Sequence, residues 1–467
     1  MFTGELYRMR DEILNKIRNR TVKVVVFGLG YVGLPTAASI AKAGFQVVGV
    51  DSNPRIVKSL SKGIIDINQP ELANSIKEVV DKGLLKATSN GNNYVRKADI
   101  MIICVPTPIK EDKTPDLSYI EEVCKTIAHN LNKGKLVIVE STLPPKTTKS
   151  FIAPMLEKNN ELKCGSDFWL CYCPERIAPG EPVKNVVATN KIFGGYNAES
   201  AEIAAKFYKT CVKGQIFITD STTAELAKVA ENAFRDVNIA FANELALICE
   251  LTGSDVLEVI KLANTHPRVN IHTPGTGVGG ACIPKDPHLL LFPAESQGFK
   301  SKIIKASRMV NDNMPRHIVN LVLKGLCDAH KQMENAKIAV LGTAYKANVG
   351  DSRLSPSKGI IQKLIISGAN VTAYDPFCKE NFGGEKVDSL QSAVKNADCI
   401  VIATDHEEFK EMDLLTIANF MNPPPIIVDG RRIIKPEQAE KAGINYYGIG
   451  LARKEGRADR ISCGCTR

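Results

Sequence analysis

The chain has 467 residues, 44% of them hydrophobic and 24% charged, which is typical of a globular protein with about two or three domains. Its net charge of +9 is spread along the sequence with no basic block of interleaved aromatic residues, so we do not expect a nucleic-acid partner, whereas an anionic small ligand is compatible with it. No apolar run reaches the roughly 18 residues that a membrane span needs, and the N-terminus lacks a signal-peptide pattern, so we expect a cytoplasmic protein without a membrane partner.

The first 20 residues predict an amphipathic helix. Charged residues separate apolar side chains that recur at three- and four-residue steps, namely Phe2, Leu6, Met9, Ile13 and Ile17. We expect this helix to pack its apolar face against the body of the protein.

A dinucleotide-binding turn follows the first predicted strand. Gly28-x-Gly30-x-x-Gly33 follows a β-branched run and opens a helical pattern, so the glycines would let the backbone approach a pyrophosphate at a helix N-terminus. Asp51 ends the next predicted strand, where it would accept hydrogen bonds from ribose hydroxyls and repel a 2′-phosphate. We therefore predict NAD rather than NADP as the cofactor. The expected cofactor contacts are Gly28, Gly30, Tyr31, Val32, Gly33, Asp51, Arg55, Thr107 and Thr142.

Residues 22–33 and 336–353 resemble each other, and each opens a similar series of elements. In each series a second strand ends on an acid, Asp51 or Asp375, and a later strand begins with Ala-Asp, at Asp99 or Asp398. Strands alternating with helices predict the α/β class, with two Rossmann-like, doubly wound domains. The glycine pattern is degraded to Gly342-x-x-Tyr345-Lys346 in the second, so we expect that domain to bind another anion.

A long central helix is predicted between the two Rossmann-like domains. Apolar residues recur at helical spacing from 221 to 262, and neither Gly nor Pro interrupts them before Gly253. The predicted layout is an N-terminal helix (1–20), an NAD-binding domain (21–215), a central helical and dimerisation region that includes Cys282 (216–315), and a C-terminal Rossmann-like domain (316–467).

The segment 274–286 carries the strongest chemical signal. Four glycines in six residues precede Cys282, and Lys285 and Asp286 follow it. Such a backbone can wrap closely around a ligand. A buried structural thiol would not explain this glycine run, so we favour Cys282 as a nucleophile.

The 13 cysteines predict reduced thiols rather than a disulfide framework or a metal site. The closely spaced pairs Cys171/Cys173 and Cys463/Cys465 lack the C-x2-C spacing of common zinc sites. We expect no metal.

Taken in order, the motifs resemble those of the UDP-glucose and nucleotide-sugar 6-dehydrogenase family over nearly the whole chain. They are GLGYVG, VPTP, Glu140-Ser141-Thr142, Pro174-Glu175-Arg176, Glu225-Leu226-x-Lys228-x-x-x-Asn232, GVGGACIPKDP and Lys346…Asp351-Ser352-Arg353. The resemblance implies two Rossmann-like domains joined by a long helix, a homodimer, and a UDP-sugar substrate that binds to the C-terminal domain (316–467).

The resemblance also implies a mechanism and its residues. The family oxidises the C6 alcohol of the sugar twice, by way of a thioester that would form on Cys282 here. Lys228 and Asn232, one helical turn apart, would face the C6 oxygen. Glu175 and Asp286 would manage the hydrolytic water, which Thr142 would position. The implied substrate contacts are Glu175, Arg176, Lys228, Asn232, Arg268, Gly279, Lys346 and Arg353.

The sugar and two other functions remain as alternatives. Pro179 stands where UDP-glucose enzymes of this family have an acid, which resembles the branch acting on UDP-N-acetylhexosamines, and we favour N-acetylmannosamine over N-acetylglucosamine. Lys285 is shared with the glucose branch, so UDP-glucose is an alternative. The other readings are a single-step NAD dehydrogenase, in which Cys282 is incidental, and a non-catalytic nucleotide-sugar sensor.

Overall fold

A computed structural model describes residues 2–65, 70–158, 161–176 and 187–452. The chain divides into two compact units: the first comprises Met1–Asn232 and Lys285–Lys300, and the second comprises Ala233–Pro284 and Ser301–Arg467. Within the described ranges, no helix is both long enough and apolar enough to cross a membrane.

The first unit contains an eight-stranded sheet with the order β3-β2-β1-β4-β5-β6-β7-β8. Neighbouring strands are parallel except for the pair β6–β7. The first six positions follow the strand order of dinucleotide-binding folds, so the predicted N-terminal Rossmann-like domain is confirmed. The strands are β1 (Lys23–Phe27), β2 (Gln46–Val50), β3 (Leu85–Thr88), β4 (Ile100–Ile103), β5 (Leu136–Val139), β6 (Trp169–Tyr172), β7 (Lys191–Gly195) and β8 (Ile216–Asp220).

Helices cover this sheet, and the predicted N-terminal helix is among them. Ile13 and Ile17 of that helix are buried in the same core as the strands, which confirms that its apolar face packs on the body. The helices are α1 (Phe2–Arg18), α2 (Gly33–Lys42), α3 (Pro54–Leu60), α4 (Pro70–Asp81), α5 (Asn92–Val95), α6 (Ser118–Ala128), a π-helical turn (Thr148–Ile152), α7 (Ala153–Glu157) and α8 (Ala198–Tyr208).

The central helix is shorter than predicted. The sequence favoured one helix over 221–262, but the structure has α9 (Ser221–Thr252), a break, α10 (Val256–Ala263) and later α11 (Asp286–Glu295). Gly253 adopts φ +82, a left-handed conformation that ends a helix, and the Asp255 side chain accepts a hydrogen bond from Leu257 N and begins the next one. The predicted long helix is therefore confirmed over Ser221–Thr252, but its continuation to residue 262 was wrong because this stop and start signal outweighs the apolar periodicity.

The second unit contains a six-stranded, fully parallel sheet with the order β11-β10-β9-β12-β13-β14, which repeats the Rossmann strand order and confirms the second predicted domain. Its strands are β9 (Lys337–Leu341), β10 (Asn370–Tyr374), β11 (Glu385–Lys386), β12 (Cys399–Ile402), β13 (Ile426–Asp429) and β14 (Asn445–Gly448). Its further helices are α12 (Ile303–Asp328), α13 (Pro356–Ile366), α14 (Leu390–Val394), α15 (Glu407–Lys410), α16 (Leu414–Phe420) and α17 (Pro436–Lys441).

The repeated Ala-Asp motif is structural in both units. Asp99 accepts a hydrogen bond from Lys23 N at 3.0 Å, and Asp398 accepts one from Lys337 N at 2.9 Å. Burial alone would raise the pKa of each carboxyl, but these bonds and nearby lysines lower it. Each aspartate thus ties the start of the first strand to the start of its neighbour. This edge of the sheet is the one opposite the carboxyl ends, where ligands bind in such folds.

Candidate active site

The glycine turn between β1 and α2 has the three properties that a pyrophosphate site needs. Gly28 has φ +84, and a Cβ placed on Gly33 would lie 1.8 Å from Gly28 O, so only glycine allows the helix to pack on the turn. A Cβ on Gly30 would meet no atom within 4 Å, which leaves space beside an exposed backbone. Tyr31 is exposed, Val32 is half-buried, and the first turn of α2 carries no acidic residue to repel a phosphate.

Asp51 lies directly after β2 and is fixed in place by backbone groups. One carboxylate oxygen accepts a hydrogen bond from Leu29 N at 2.8 Å, and the other accepts one from Asn53 N at 2.8 Å. These bonds hold the carboxylate against the glycine turn, where an adenosine ribose would lie. Arg55 is exposed in the first turn of α3.

Thr107, Thr142 and Lys285 meet at the carboxyl edge of the first sheet. Thr107 Oγ1 donates to Thr142 O at 2.6 Å, and Lys285 Nζ donates to Thr107 O at 2.8 Å. This links the loops after β4 and β5 to the residue preceding α11. The two predicted threonines are therefore brought together, with a cation beside them.

Asn232 and Asp286 form a buried hydrogen-bonded pair. Asn232 Nδ2 donates to Asp286 Oδ2 at 2.6 Å, and Lys285 Nζ lies 3.4 Å from Asp286 Oδ1. Lys228 is half-buried one turn before Asn232 on α9. The structure thus brings Thr142, Asn232 and Asp286 of the expected catalytic set, with Lys285, to one edge of the sheet.

Glu225 fixes the start of α9 to the loop that follows Thr142. Its carboxylate accepts hydrogen bonds from Lys146 N at 2.6 Å, Thr148 N at 2.7 Å and Thr148 Oγ1 at 2.6 Å. Burial nevertheless raises the pKa of Glu225 to about 7. The helix that carries Lys228 is anchored through this carboxyl group.

Glu175 is buried just after β6, and both of its carboxylate oxygens accept hydrogen bonds. Its Oε2 accepts a hydrogen bond from Lys191 Nζ at 2.8 Å, and its Oε1 accepts one from Arg176 N at 2.6 Å. The Arg176 guanidinium pairs with Glu231 on α9. Pro179, on which the choice of sugar depends, lies outside the described residues.

The remaining predicted residues belong to the second unit. Cys282 is exposed, as are Arg268 and Lys346. A Cβ on Gly279 would lie 2.7 Å from Tyr345 Cβ, and Gly280 N donates to Arg353 O at 2.9 Å. The glycine-rich segment 274–281, here called the glycine loop, therefore packs on the loop after β9. The Arg353 guanidinium donates to both oxygens of Asp351.

A network of buried polar side chains connects the glycine loop to α9 and α12. Asn243 of α9 accepts a hydrogen bond from Gly275 N at 2.8 Å and donates to Asn311 Oδ1 at 2.9 Å. Asn311 in turn donates to Asp236 Oδ1 at 2.9 Å, and that carboxylate pairs with Arg308. Burial, the largest influence, raises the pKa of Asp236 although Arg308 and Asn311 counteract it.

The second Rossmann-like half lacks the features of a ribose site. Asp375, which corresponds to Asp51, is fully buried and accepts hydrogen bonds from Thr343 N at 2.7 Å and from Ala344 N at 2.8 Å. His406 Nε2 lies 3.0 Å from the same carboxylate. Its other oxygen, Oδ1, accepts hydrogen bonds from Phe377 N and Cys378 N, both at 2.8 Å, so each oxygen of Asp375 has at least two partners within the protein, whereas one backbone N–H donates to each oxygen of Asp51.

Two residues in these surroundings were not predicted. Lys191 was missed, although a lysine opening an otherwise apolar strand was a usable signal. Arg431, just after β13, pairs with Asp405, and its NH1 would lie 2.6 Å from a Cβ on Gly275. Among the described residues, no cluster of His, Cys, Asp or Glu is arranged to hold a metal ion, and Cys463 and Cys465 lie outside that part of the chain.

Models of the UDP-glucose/GDP-mannose dehydrogenase family match the chain in three consecutive parts. The NAD binding domain matches residues 22–212, the central domain matches 222–313, and the UDP binding domain matches 339–436.

Individual relatives match over nearly their full length. A protein named UDP-N-acetyl-D-mannosamine dehydrogenase, from Pyrococcus horikoshii, is 43% identical over 92% of this chain and 99% of its own length. A solved structure of UDP-D-ManNAc dehydrogenase from the same organism has a TM-score of 0.86 at 43% identity, covering 92% of this chain and 99% of that one. The structure of an NDP-N-acetyl-D-galactosaminuronic acid dehydrogenase from Methanosarcina mazei Go1 has a TM-score of 0.83 at 31% identity, covering 95% and 98%.

Proposed function

The chain belongs to the UDP-glucose/GDP-mannose dehydrogenase family, and from this premise we propose that it oxidises C6 of a UDP-N-acetylhexosamine twice, to the uronic acid. It is an NAD-dependent oxidoreductase, and its cofactor, when bound, accepts hydride. One observation carries the proposal. The Asn232–Asp286 hydrogen bond and the Lys285–Thr107 contact gather the α9 residues and the start of α11 at the carboxyl edge of the NAD-binding sheet.

Lys228 and Asn232 serve the oxidation steps. Both project from one stretch of α9, one turn apart, so both can approach a single oxygen at C6. The neutral amine of Lys228 accepts the proton of the alcohol, and the ammonium so formed stabilises the negative charge that develops on this oxygen. Asn232 is held by Asp286, so its amide needs no rearrangement when the substrate binds.

Cys282 holds the intermediate between the two oxidations. Its thiolate adds to the C6 aldehyde, and loss of a second hydride from this adduct leaves a thioester. The exposed position of Cys282 and the close-packed glycines before it support this role. A single oxidation would give the cysteine and the hydrolytic acid no task.

Glu175 completes the reaction with water. Water attacks the thioester carbonyl, its proton passes to the Glu175 carboxylate, and the carbon–sulfur bond breaks to return the Cys282 thiolate. Thr142 and Asp286 position this water. The donors already bonded to both Glu175 oxygens favour its charged form, which is the form a base requires.

Residues of the second unit bind the diphosphate of the UDP-sugar. Four cationic side chains are available for this. Lys346 and Arg353 lie in the loop after β9, Arg268 precedes the glycine loop in the sequence, and Arg431 lies against that loop. We include Arg431 because its guanidinium is held by Asp405 and borders Gly275. The match of the UDP binding domain to residues 339–436 supports this assignment.

N-acetylmannosamine is the sugar that we favour, with N-acetylglucosamine next. The 43% identical relative named for that sugar supports the choice, whereas the relative named for a galactosaminuronic acid supports only an N-acetylhexosamine. A panel of UDP-sugars, followed by NADH formation, tests it. The highest kcat/KM with UDP-glucose would overturn the choice.

A homodimer through α9 is part of the proposal. Phe234, Phe241 and Ile248 repeat every seven residues and are 63%, 52% and 49% exposed, so they form one apolar face on this helix. Sedimentation of the wild type and of Phe241→Asp tests it: the variant should become monomeric, and an unchanged dimer would contradict the assignment. Lys261→Gln, a charge change at an exposed position of α10, is the control.

A further inference from the structure

Lys191 is a fully buried cation in the first unit. It is the first residue of β7, its side chain is 2% exposed, and its Nζ lies 2.8 Å from Glu175 Oε2 and 3.6 Å from Glu140 Oε1. Two carboxylates and one ammonium are thus enclosed together. Such a group is an inefficient way to stabilise a fold, because desolvating the charges offsets their attraction. Its contact with a proposed catalytic carboxylate points to a functional role.

The two carboxylates depend on Lys191 to different extents. Glu140 also accepts hydrogen bonds from Tyr208 OH at 2.5 Å and Thr36 Oγ1 at 3.0 Å, so hydroxyl groups satisfy both of its oxygens. The ammonium lies closer to Glu175, 2.8 Å from Oε2, than to Glu140, 3.6 Å from Oε1, and Arg176 N donates to the other oxygen of Glu175. Burial would lower the pKa of Lys191, but Glu140 and Glu175 together raise it well above its usual value, so the cation persists.

We propose that Lys191 is a positioning residue for hydrolysis: it holds Glu175 ionised and in one orientation, ready to take a proton from water. This inference rests on the proposed function, in which Glu175 serves the release of the uronate. Without the ammonium, two buried carboxylates would face each other, and Glu175 would hold its proton up to a higher pH. Glu140, with its own donors, acts as the fixed counter-charge of Lys191.

Lys191→Met tests the inference, since it keeps an unbranched side chain of similar length and removes the charge. The acidic limb of the pH profile for uronate release should move up by about one to three pH units. At pH 7 the variant should accumulate sugar mass on Cys282, and raising the pH should relieve this. Lys191→Arg should return both readouts towards the wild type. Lys23→Met, the same change at the exposed start of β1, is the matched control and should alter neither.

Glu140→Gln gives an independent test that does not require Lys191→Met to fold. Removing the negative charge next to Lys191 should move the acidic limb to lower pH. An unmoved limb in folded Lys191→Met, or an unmoved or raised limb in Glu140→Gln, would overturn the inference. Glu175→Gln separates the two levels of the argument. If it accumulates the adduct and Lys191→Met does not, only the inference fails; if it shows no adduct and the wild type makes one NADH per sugar, the proposed function fails.

Discussion

Asn243→Ala should destabilise the second unit and impair the cysteine loop. The side chain joins Gly275 N, at the start of the glycine loop, to Asn311 on α12, and all three residues are buried. Alanine leaves a backbone donor and an amide oxygen buried without their partner. Each such group costs about 1–3 kcal/mol, so the expected loss in the free energy of unfolding for the two is about 2–6 kcal/mol.

Urea denaturation followed by circular dichroism measures this loss. Glu244→Ala, the next residue along α9 and an exposed one, controls for the removal of a side chain from the helix and should change the free energy by less than about 0.5 kcal/mol. In native buffer, kcat for NADH formation should fall, because the backbone leading to Cys282 loses its anchor. NAD affinity should not change, because the glycine turn belongs to the other unit. A loss below about 1 kcal/mol would refute the bonding scheme.

Three other perturbations test separate parts of the account. Cys282→Ser should abolish uronate release while NAD still binds, since a serine hydroxyl is a much weaker nucleophile; uronate release at the wild-type rate would remove the thioester from the mechanism. The wild type should have a higher kcat/KM with NAD than with NADP, and Asp51→Ser should bring these two values closer together. Equal kcat/KM values with the two cofactors in the wild type would contradict the role of Asp51. Burial raises the pKa of Glu225 to about 7, so between about pH 4.5 and 7 the folded protein binds more protons than the unfolded chain. Its free energy of unfolding should therefore fall by up to about 3 kcal/mol as the pH rises through this window. The free energy of unfolding of Glu225→Gln should lack this pH dependence. Identical profiles of unfolding free energy against pH for the two proteins would exclude the raised pKa of Glu225 as its cause.

The parts of the fold that depend on local sequence were predictable. The glycine turn and the terminal acid of the second strand are encoded within about 30 residues, as is usual for a βαβ unit, and both occur as expected around Gly28 and Asp51. The break at Gly253 was also encoded locally, by a glycine followed by Asp255 as a helix cap, but the apolar periodicity on both sides hid it.

The contacts between distant segments were not predictable in the same way. The resemblance to a family named Glu175 as a catalytic residue but gave no indication that Lys191 lies against it. The spacing of polar residues on α9 gave Lys228 and Asn232 a common face, whereas the partners of Asn243 come from two other segments. Such pairs arise from the order of strands and the packing of helices, which a single sequence does not display.

The number of NADH molecules formed per sugar tests the central proposal most directly. Wild-type enzyme with limiting UDP-N-acetylmannosamine and excess NAD should yield two NADH and one uronate per sugar, without free aldehyde. Glu175→Gln should complete both oxidations once and then stall, with the sugar retained as added mass on Cys282. One NADH per sugar, with aldehyde released by the wild type, would contradict the account and favour a single-step dehydrogenase.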